Sequence, residues 1–379
     1  ELVAFLSSHD GINDKAKLAR LTADRFKLTQ DRSVYYCNSF AVRFSSSASQ
    51  RFGNTILSLS NLQKFDDRAF LVCLVTPERN YIFLANTTFL KKISHSSQAL
   101  RENNIRGSFN GSDIVREFQG IANSPVNFDK LFSIHAGLGF EGNLTRLVEA
   151  TNNISPSGRK YLPSENERQQ ILLAPSRATR FVASRDALTL KEELDTKAAK
   201  YRNEILLAAL IENVNVRGRI IEYLIAGEDE RLRAELIKAL QNRTHGIPQF
   251  KTNNSLGDYT REFDEFLTET DVKTKIMVLD SNPKGYNLDK MLEFLAASRS
   301  VFMFYFIGVE PGKTINATLI SIFQERLLKS TILLKHWAGR NSRGVTQFEG
   351  KAVERLIWAP ETTVSEDDAI QFLEQILAM

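Results

Sequence analysis

The segment Gly257-Asp258-Tyr259-Thr260-Arg261-Glu262-Phe263, and after it Thr268-Glu269-Thr270-Asp271-Val272-Lys273-Thr274-Lys275-Ile276-Met277-Val278-Leu279, decides how this chain is read. Residues 271–279 turn β-branched and apolar after a charged start, which predicts a strand opening at Asp271. Asp258 follows a polar turn and lies upstream at the distance of a hairpin partner. Side chains alternate across a strand, so Asp271 and Lys273 share one side of it. Upstream, 189–211 and 217–241 carry Lys, Glu, Ala and Leu at helical spacing, with a break near Gly227. Downstream come a helix over 287–298, a strand over 301–309, a helix-like stretch over 317–328, a polar loop and a final helix over 364–377. This alternation predicts a mixed α/β fold.

Toward the N-terminus the texture changes. Residues 33–93 are rich in Val, Ile, Phe, Tyr and Thr in period-2 runs, separated by turn signals such as Thr76-Pro77-Glu78-Arg79-Asn80, and a β-rich domain is expected there. A short helix could follow over 87–97. Asn, Ser, Pro and Gly gather over 152–166, with Pro156, Gly158 and Pro163, and mark a linker. The expected organisation is a β-rich domain over 1–165, a linker and helical connection over 166–199, and an α/β domain with a central mixed sheet flanked by helices over 200–379. A chain of 379 residues is long enough for that division.

Composition removes several classes of function. With 42% hydrophobic and 25% charged residues the chain can bury a core and is not disordered as a whole. The longest apolar run, 301–309, is about half of what a bilayer-crossing helix needs, so no membrane span is expected. The opening residues Glu1-Leu2-Val3-Ala4-Phe5-Leu6 lack the basic start and cleavage pattern of a secretory leader, and a cytoplasmic protein is expected. Cys37 and Cys73 have no CxxC or Cys/His spacing around them, which argues against a disulfide framework or structural zinc. His9, His95, His135, His245 and His336 form no HExxH and read as surface or loop residues. The glycines of 107–111 and 308–312 lack the spacing of a phosphate-cradling loop, so no nucleotide cofactor is expected. Lys plus Arg number 49 against 45 Asp plus Glu, and the net +4 permits a nucleic-acid partner without demanding one.

Asp258, Asp271 and Lys273 remain. Two carboxylates on neighbouring strands can hold one hard divalent cation through oxygen, and a lysine on the same side can help activate water beside a phosphodiester. The acid-x-Lys triplet alone says little, for it recurs at Asp195-Thr196-Lys197 in a helix and Glu349-Gly350-Lys351 in a loop. Only Asp271 combines a strand start, an upstream Asp at hairpin distance and a preceding helical domain. The bland alternative is a pair of exposed charges at the mouth of a strand.

On these residues the stretch 200–379 resembles the PD-(D/E)XK nucleases, and within them a type II restriction endonuclease with a separate N-terminal domain. The resemblance implies that Glu222, in Arg219-Ile220-Ile221-Glu222-Tyr223-Leu224-Ile225, is the helix glutamate, Asp258 the first carboxylate, and Asp271 with Lys273 the (D/E)XK triplet. It implies that Asp258, Asp271 and the carbonyl of Val272 bind Mg2+, that Lys273 orients or helps deprotonate the attacking water, and that Glu222 supports them. It also implies site-specific hydrolysis of double-stranded DNA by a homodimer. Gly257 stands where the family often carries proline, which leaves Asp264 as a rival first carboxylate. Asp258 is preferred because Asp264 would leave too short a hairpin. Glu222 borders the apolar face of Ile221, Leu224 and Ile225, and its bland reading is a solvated helix glutamate.

Candidate DNA contacts follow from residue chemistry. Arg340, Asn341, Arg343 and Gln347 lie in a polar stretch after 332–334, where Arg can read guanine and Asn or Gln adenine. Lys284 and Tyr286 follow the catalytic strand and are placed near the cut. In the N-terminal domain Arg106 and Asn110 head a scatter of Arg, Lys and Asn; such a scatter is also what solubility alone would give. The rival readings are a non-catalytic DNA-binding or scaffold protein, and a structure-selective or modification-dependent nuclease.

Overall fold

The computed structural model describes residues 1–47, 56–94, 107–138, 140–154, 159–242, 256–335 and 342–379. It forms two compact units, Glu1–Gly158 with Lys335–Asn341, and Arg159–Leu334 with Ser342–Met379.

The first unit is built on a five-stranded sheet in the order Thr29–Asp31, Val34–Tyr36, Phe40–Ser46, Ala69–Val75, Asn80–Leu84. Phe40–Ser46 and Ala69–Val75 run parallel. A parallel pair needs a crossover and covered faces, and Phe70 to Val75 are all buried. Helices Leu2–Ser7, Lys15–Phe26, Phe128–Leu138 and Phe140–Asn152 belong to the same unit. It is therefore mixed α/β rather than β-rich. The helix Lys15–Phe26 begins where the Asp14 carboxylate accepts from Ala16 N (2.9 Å) and Lys17 N (3.0 Å), and ends on Lys27 in the left-handed region. Of the helix expected over 87–97, the described residues 87–94 form the short 3-10 turn Thr87–Phe89, and 95–97 lie outside the described residues. His135, expected at the surface, is buried, with Nδ1 2.8 Å from Thr88 Oγ1 and Nε2 2.8 Å from Asp66 O. A histidine satisfied on both nitrogens can sit in a core at little cost.

The second unit opens with helices Glu165–Leu172, Ala174–Val182, Arg185–Lys200, Arg202–Ala208, Val214–Ala226 and Glu230–Gln241. A four-stranded sheet follows, in the order Tyr259–Glu262, Leu267–Ile276, Ser300–Glu310, Thr314–Ser321. The first two strands are antiparallel, and Ser300–Glu310 then runs parallel to Leu267–Ile276 after the helix Leu288–Leu295. The apolar run 301–309 is thus a central strand, buried throughout, as parallel strands covered on both faces are. Buried Arg177 fastens its start, donating to Ser300 O (3.1 Å), Leu295 O (2.8 Å) and Gln170 O (2.8 Å).

Two expectations fail in this unit. The stretch 317–328 is not a helix: Thr314–Ser321 is a strand antiparallel to Ser300–Glu310, followed by the short helix Glu325–Lys329. A tight turn at Gly312, φ 73°, returns the chain onto its neighbour, so pairing overrides the helical spacing. The second half of the expected polar loop is the strand Gly344–Phe348, in a three-stranded sheet with Lys284–Asn287 and Thr331–Lys335. Among the described residues no helix is long and apolar enough to cross a membrane.

Candidate active site

Strand order brings together the residues that matter. Tyr259 pairs with Thr270, so Asp258 arrives beside Asp271 at one end of the hairpin. At Gly257 the backbone comes so close to the next strand that a Cβ would lie 2.9 Å from Thr270 N and 3.1 Å from Glu269 Cβ. Neither proline nor alanine fits that space, which explains glycine at this position. The close approach is fixed by Gly257 N donating to Glu269 Oε2 (2.8 Å) and Asp258 N to Thr270 O (2.9 Å). Asp258 Oδ2 then accepts from Val272 N at 2.8 Å. A strand residue turns its N–H and C=O to the same edge, so the Val272 carbonyl faces the Asp258 side.

Asp271 is only 4% exposed, and the Lys273 ammonium donates to its carboxylate from two residues along the same strand face. Glu222 comes from the helix Val214–Ala226, whose buried Ile220, Ile221, Leu224 and Ile225 seat it in the core. Glu222 is half-buried and lies near enough to Asp258, and Asp258 to Asp271, for each carboxyl to feel the next. Crowded, buried carboxylates repel one another, which favours the uncharged form. Burial, then the charge of Asp258, pushes Glu222 up to about 8, with Lys273 pulling the other way. Burial likewise holds Asp271 well above the usual carboxylate range, the Asp258 charge adding to it and Lys273 opposing. Burial disfavours the Lys273 cation, but the charges of Asp271, Asp258 and Glu222 outweigh it and raise its value. Three acids thus crowd one ammonium group, and the site lacks positive charge. Asp264 lies exposed in the turn at the other end of the hairpin, which leaves Asp258 as the carboxylate beside Asp271.

Could this set hold a cation? Among the described residues no group of three or more His, Cys, Asp or Glu side chains is arranged to hold a metal ion. The available donors are the Asp258 and Asp271 carboxylates and the Val272 carbonyl. All are oxygen, and Mg2+ typically takes one or two carboxylates and keeps several waters. The crowding of acids supplies the charge such an ion would neutralise, so the residues fit the group.

The candidate DNA contacts fare differently. Arg343 is buried: its Nη1 meets Asp289 Oδ1 (2.6 Å) and Tyr161 O (2.7 Å), and its Nε donates to Ile376 O (2.8 Å). This corrects the expectation that it reads a base edge, since the guanidinium is engaged in the interior. Tyr286 is also buried and packs among Phe302, Phe304 and Phe348, so it does not reach a backbone near the cut. Lys284 is exposed and pairs in register with Gln347, which is half-buried and donates to Asn282 O (3.2 Å). Asn110 caps a 3-10 turn, with its backbone N–H on Asp113 Oδ2 (2.7 Å), so it has a local structural role. Arg340, Asn341 and Arg106 lie outside the described residues.

Sequence reading gave no role to Lys197, Lys200 or Arg233, which line a cavity reaching Asp258. The only signal in sequence was two lysines one helical turn apart, followed at once by Tyr201. No family model matches the chain, and neither a curated protein nor a solved structure matches it.

Proposed function

We propose that the chain is a Mg2+-dependent DNA endonuclease of the PD-(D/E)XK kind, resembling a type II restriction enzyme that cuts double-stranded DNA at specific sites as a homodimer. The observation that carries this reading is the meeting of Glu222, Asp258, Asp271 and Lys273, from one helix and two paired strands, in a cluster short of positive charge. The element order supports it: a glutamate-bearing helix, an antiparallel pair carrying Asp258 and Asp271, a helix, then a parallel strand. Mg2+, bound by Asp258, Asp271 and the Val272 carbonyl, would supply charge for the reacting phosphate and lower the pKa of water. Asp271 orients the Lys273 ammonium at the site, and that cation can hold an attacking water or a phosphate oxygen. Glu222 presses on Asp258 from the helix and carries a proton at neutral pH. The four residues lie within Arg159–Leu334, which leaves the unit Glu1–Gly158 free for target recognition.

The test is cleavage of methylated and unmethylated plasmid by the purified protein, with Mg2+ or with EDTA, followed by sequencing of the ends. Discrete Mg2+-dependent fragments are expected, and Lys273→Ala should slow their appearance roughly 100-fold or more, in the range of a lost general acid–base group. Binding without cutting would favour the scaffold reading, and a smear a nuclease without sequence preference.

A further inference from the structure

Beside Asp258 the second unit has a solvent-open pocket of about 460 Å3, the size of a small-ligand site rather than of a single water. Lys197 and Lys200 reach it from the end of the helix Arg185–Lys200, Arg233 from Glu230–Gln241, and Tyr259 from the hairpin. Its two lysines are positioned without a paired carboxylate, while Arg233 is paired with Glu230. Lys197 Nζ stands 4.1 Å from the Tyr259 ring centre and Lys200 Nζ 5.0 Å from that of Tyr201. Among the described residues neither ammonium has a carboxylate at ion-pair distance. Arg233 is buried and spends its two terminal nitrogens on Glu230 and Gly227 O, but its Nε has no hydrogen-bond partner among the described residues. Burial, then the charge of Arg233, lowers the Lys197 value, with the carboxylates of Glu193, Glu230 and Glu228 opposing. Three acids line the cavity: Glu228 and Glu230 are exposed, with Glu230 already paired with Arg233, and Asp258 is half-buried and accepts from Val272 N.

Ring faces hold a cation but give it no hydrogen-bond acceptor, whereas a phosphate supplies several oxygens and the missing charge. We infer that this cavity is an anion subsite that takes a phosphate of the nucleic-acid strand next to the one that is cut. The inference rests on the nuclease reading, because Asp258 borders both the cavity and the acid cluster. A phosphate anchored there would hold the strand in register while the neighbouring bond lies at Asp258, Asp271 and Lys273. The phosphate could be an internal diester or a strand-terminal monoester; the chemistry is shared.

The full chain is titrated in EDTA with inorganic phosphate by calorimetry, then with short oligonucleotides carrying or lacking a 5′-phosphate in competition. Saturable phosphate binding is expected, weakened roughly tenfold or more in Lys197→Gln/Lys200→Gln, as loss of two charge-assisted contacts implies. Both lysines are at least partly exposed, so this variant should fold. Asp271→Asn should bind phosphate as well as wild type or better. A clear advantage of the 5′-phosphorylated oligonucleotide assigns the cavity to strand ends, and equal competition assigns it to internal phosphates. No saturable phosphate binding, or equal binding by the double variant, overturns the inference. Phosphate binding through these lysines in a protein that cuts no DNA would leave the subsite standing and overturn the nuclease reading alone.

Discussion

Asp289–Arg343 and Asp271–Lys273 are both buried acid–base pairs of the second unit, built to opposite ends. In the first, one acid meets one base, and the surplus hydrogen-bonding capacity goes to backbone: Asp289 accepts from Arg343 N (2.8 Å) and Tyr161 N (3.1 Å), while Arg343 donates to Tyr161 O and Ile376 O. In the second, one ammonium faces three acids, and burial raises the Glu222 and Asp271 values. A pair with every group satisfied ties the fold together. A cluster short of charge stabilises little and is poised to take a cation.

The contrast is broken most sharply by removing one member of each pair. Asp271→Asn takes away a proposed Mg2+ ligand while relieving the crowding, so Mg2+-dependent cleavage should fall below detection while the melting temperature holds or rises. Arg343→Ala leaves the Asp289 charge buried without its base, and should cost about 3–5 kcal/mol of stability, read by denaturant unfolding. If Asp271→Asn unfolded the protein and Arg343→Ala did not, the two pairs would have exchanged roles. The smaller effect is in pH. The ordinary glutamate value is 4.5, and Glu222 in the folded protein is held up to about 8, so the folded state keeps a proton that the unfolded state loses. That contribution to stability is complete below about pH 4.5 and lost as pH rises through about 8. The metal-free melting temperature should therefore decline across this window, more gently in Glu222→Gln. An equal slope in the two proteins would mean that Glu222 carries no displaced proton.

The acid cluster was legible because its signals are local. Periodicity puts Asp271 and Lys273 on a strand, Asp258 just before its partner strand and Glu222 beside an apolar helical face, although the strand opens at Leu267, four residues before the start expected at Asp271. Gly257 was read as a departure from a pattern, and only the neighbouring strand shows why no Cβ is accepted. Arg343 could not be read correctly. Its surroundings in sequence are polar, and the partners that bury it, Asp289 and Tyr161, are 54 and 182 residues away. The strand Thr314–Ser321 was hidden likewise, since its register with Ser300–Glu310 is a tertiary fact. Lys197 was seen and set aside as part of a helical acid-x-Lys triplet, and its cavity exists only once the helices Arg185–Lys200 and Glu230–Gln241 pack beside the hairpin.

The central claim, that crowded carboxyls at Asp258 and Asp271 form a cation site, is tested most directly by titrating the metal-free protein with Mg2+ in two buffers of different ionisation enthalpy at neutral pH. Mg2+ should bind with release of protons, because its charge favours the ionised forms of Glu222 and Asp271, which burial otherwise disfavours. Asp271→Asn should abolish both the binding and the proton release. Undiminished Mg2+ binding by Asp271→Asn, or no Mg2+ binding by the wild-type protein, would contradict it.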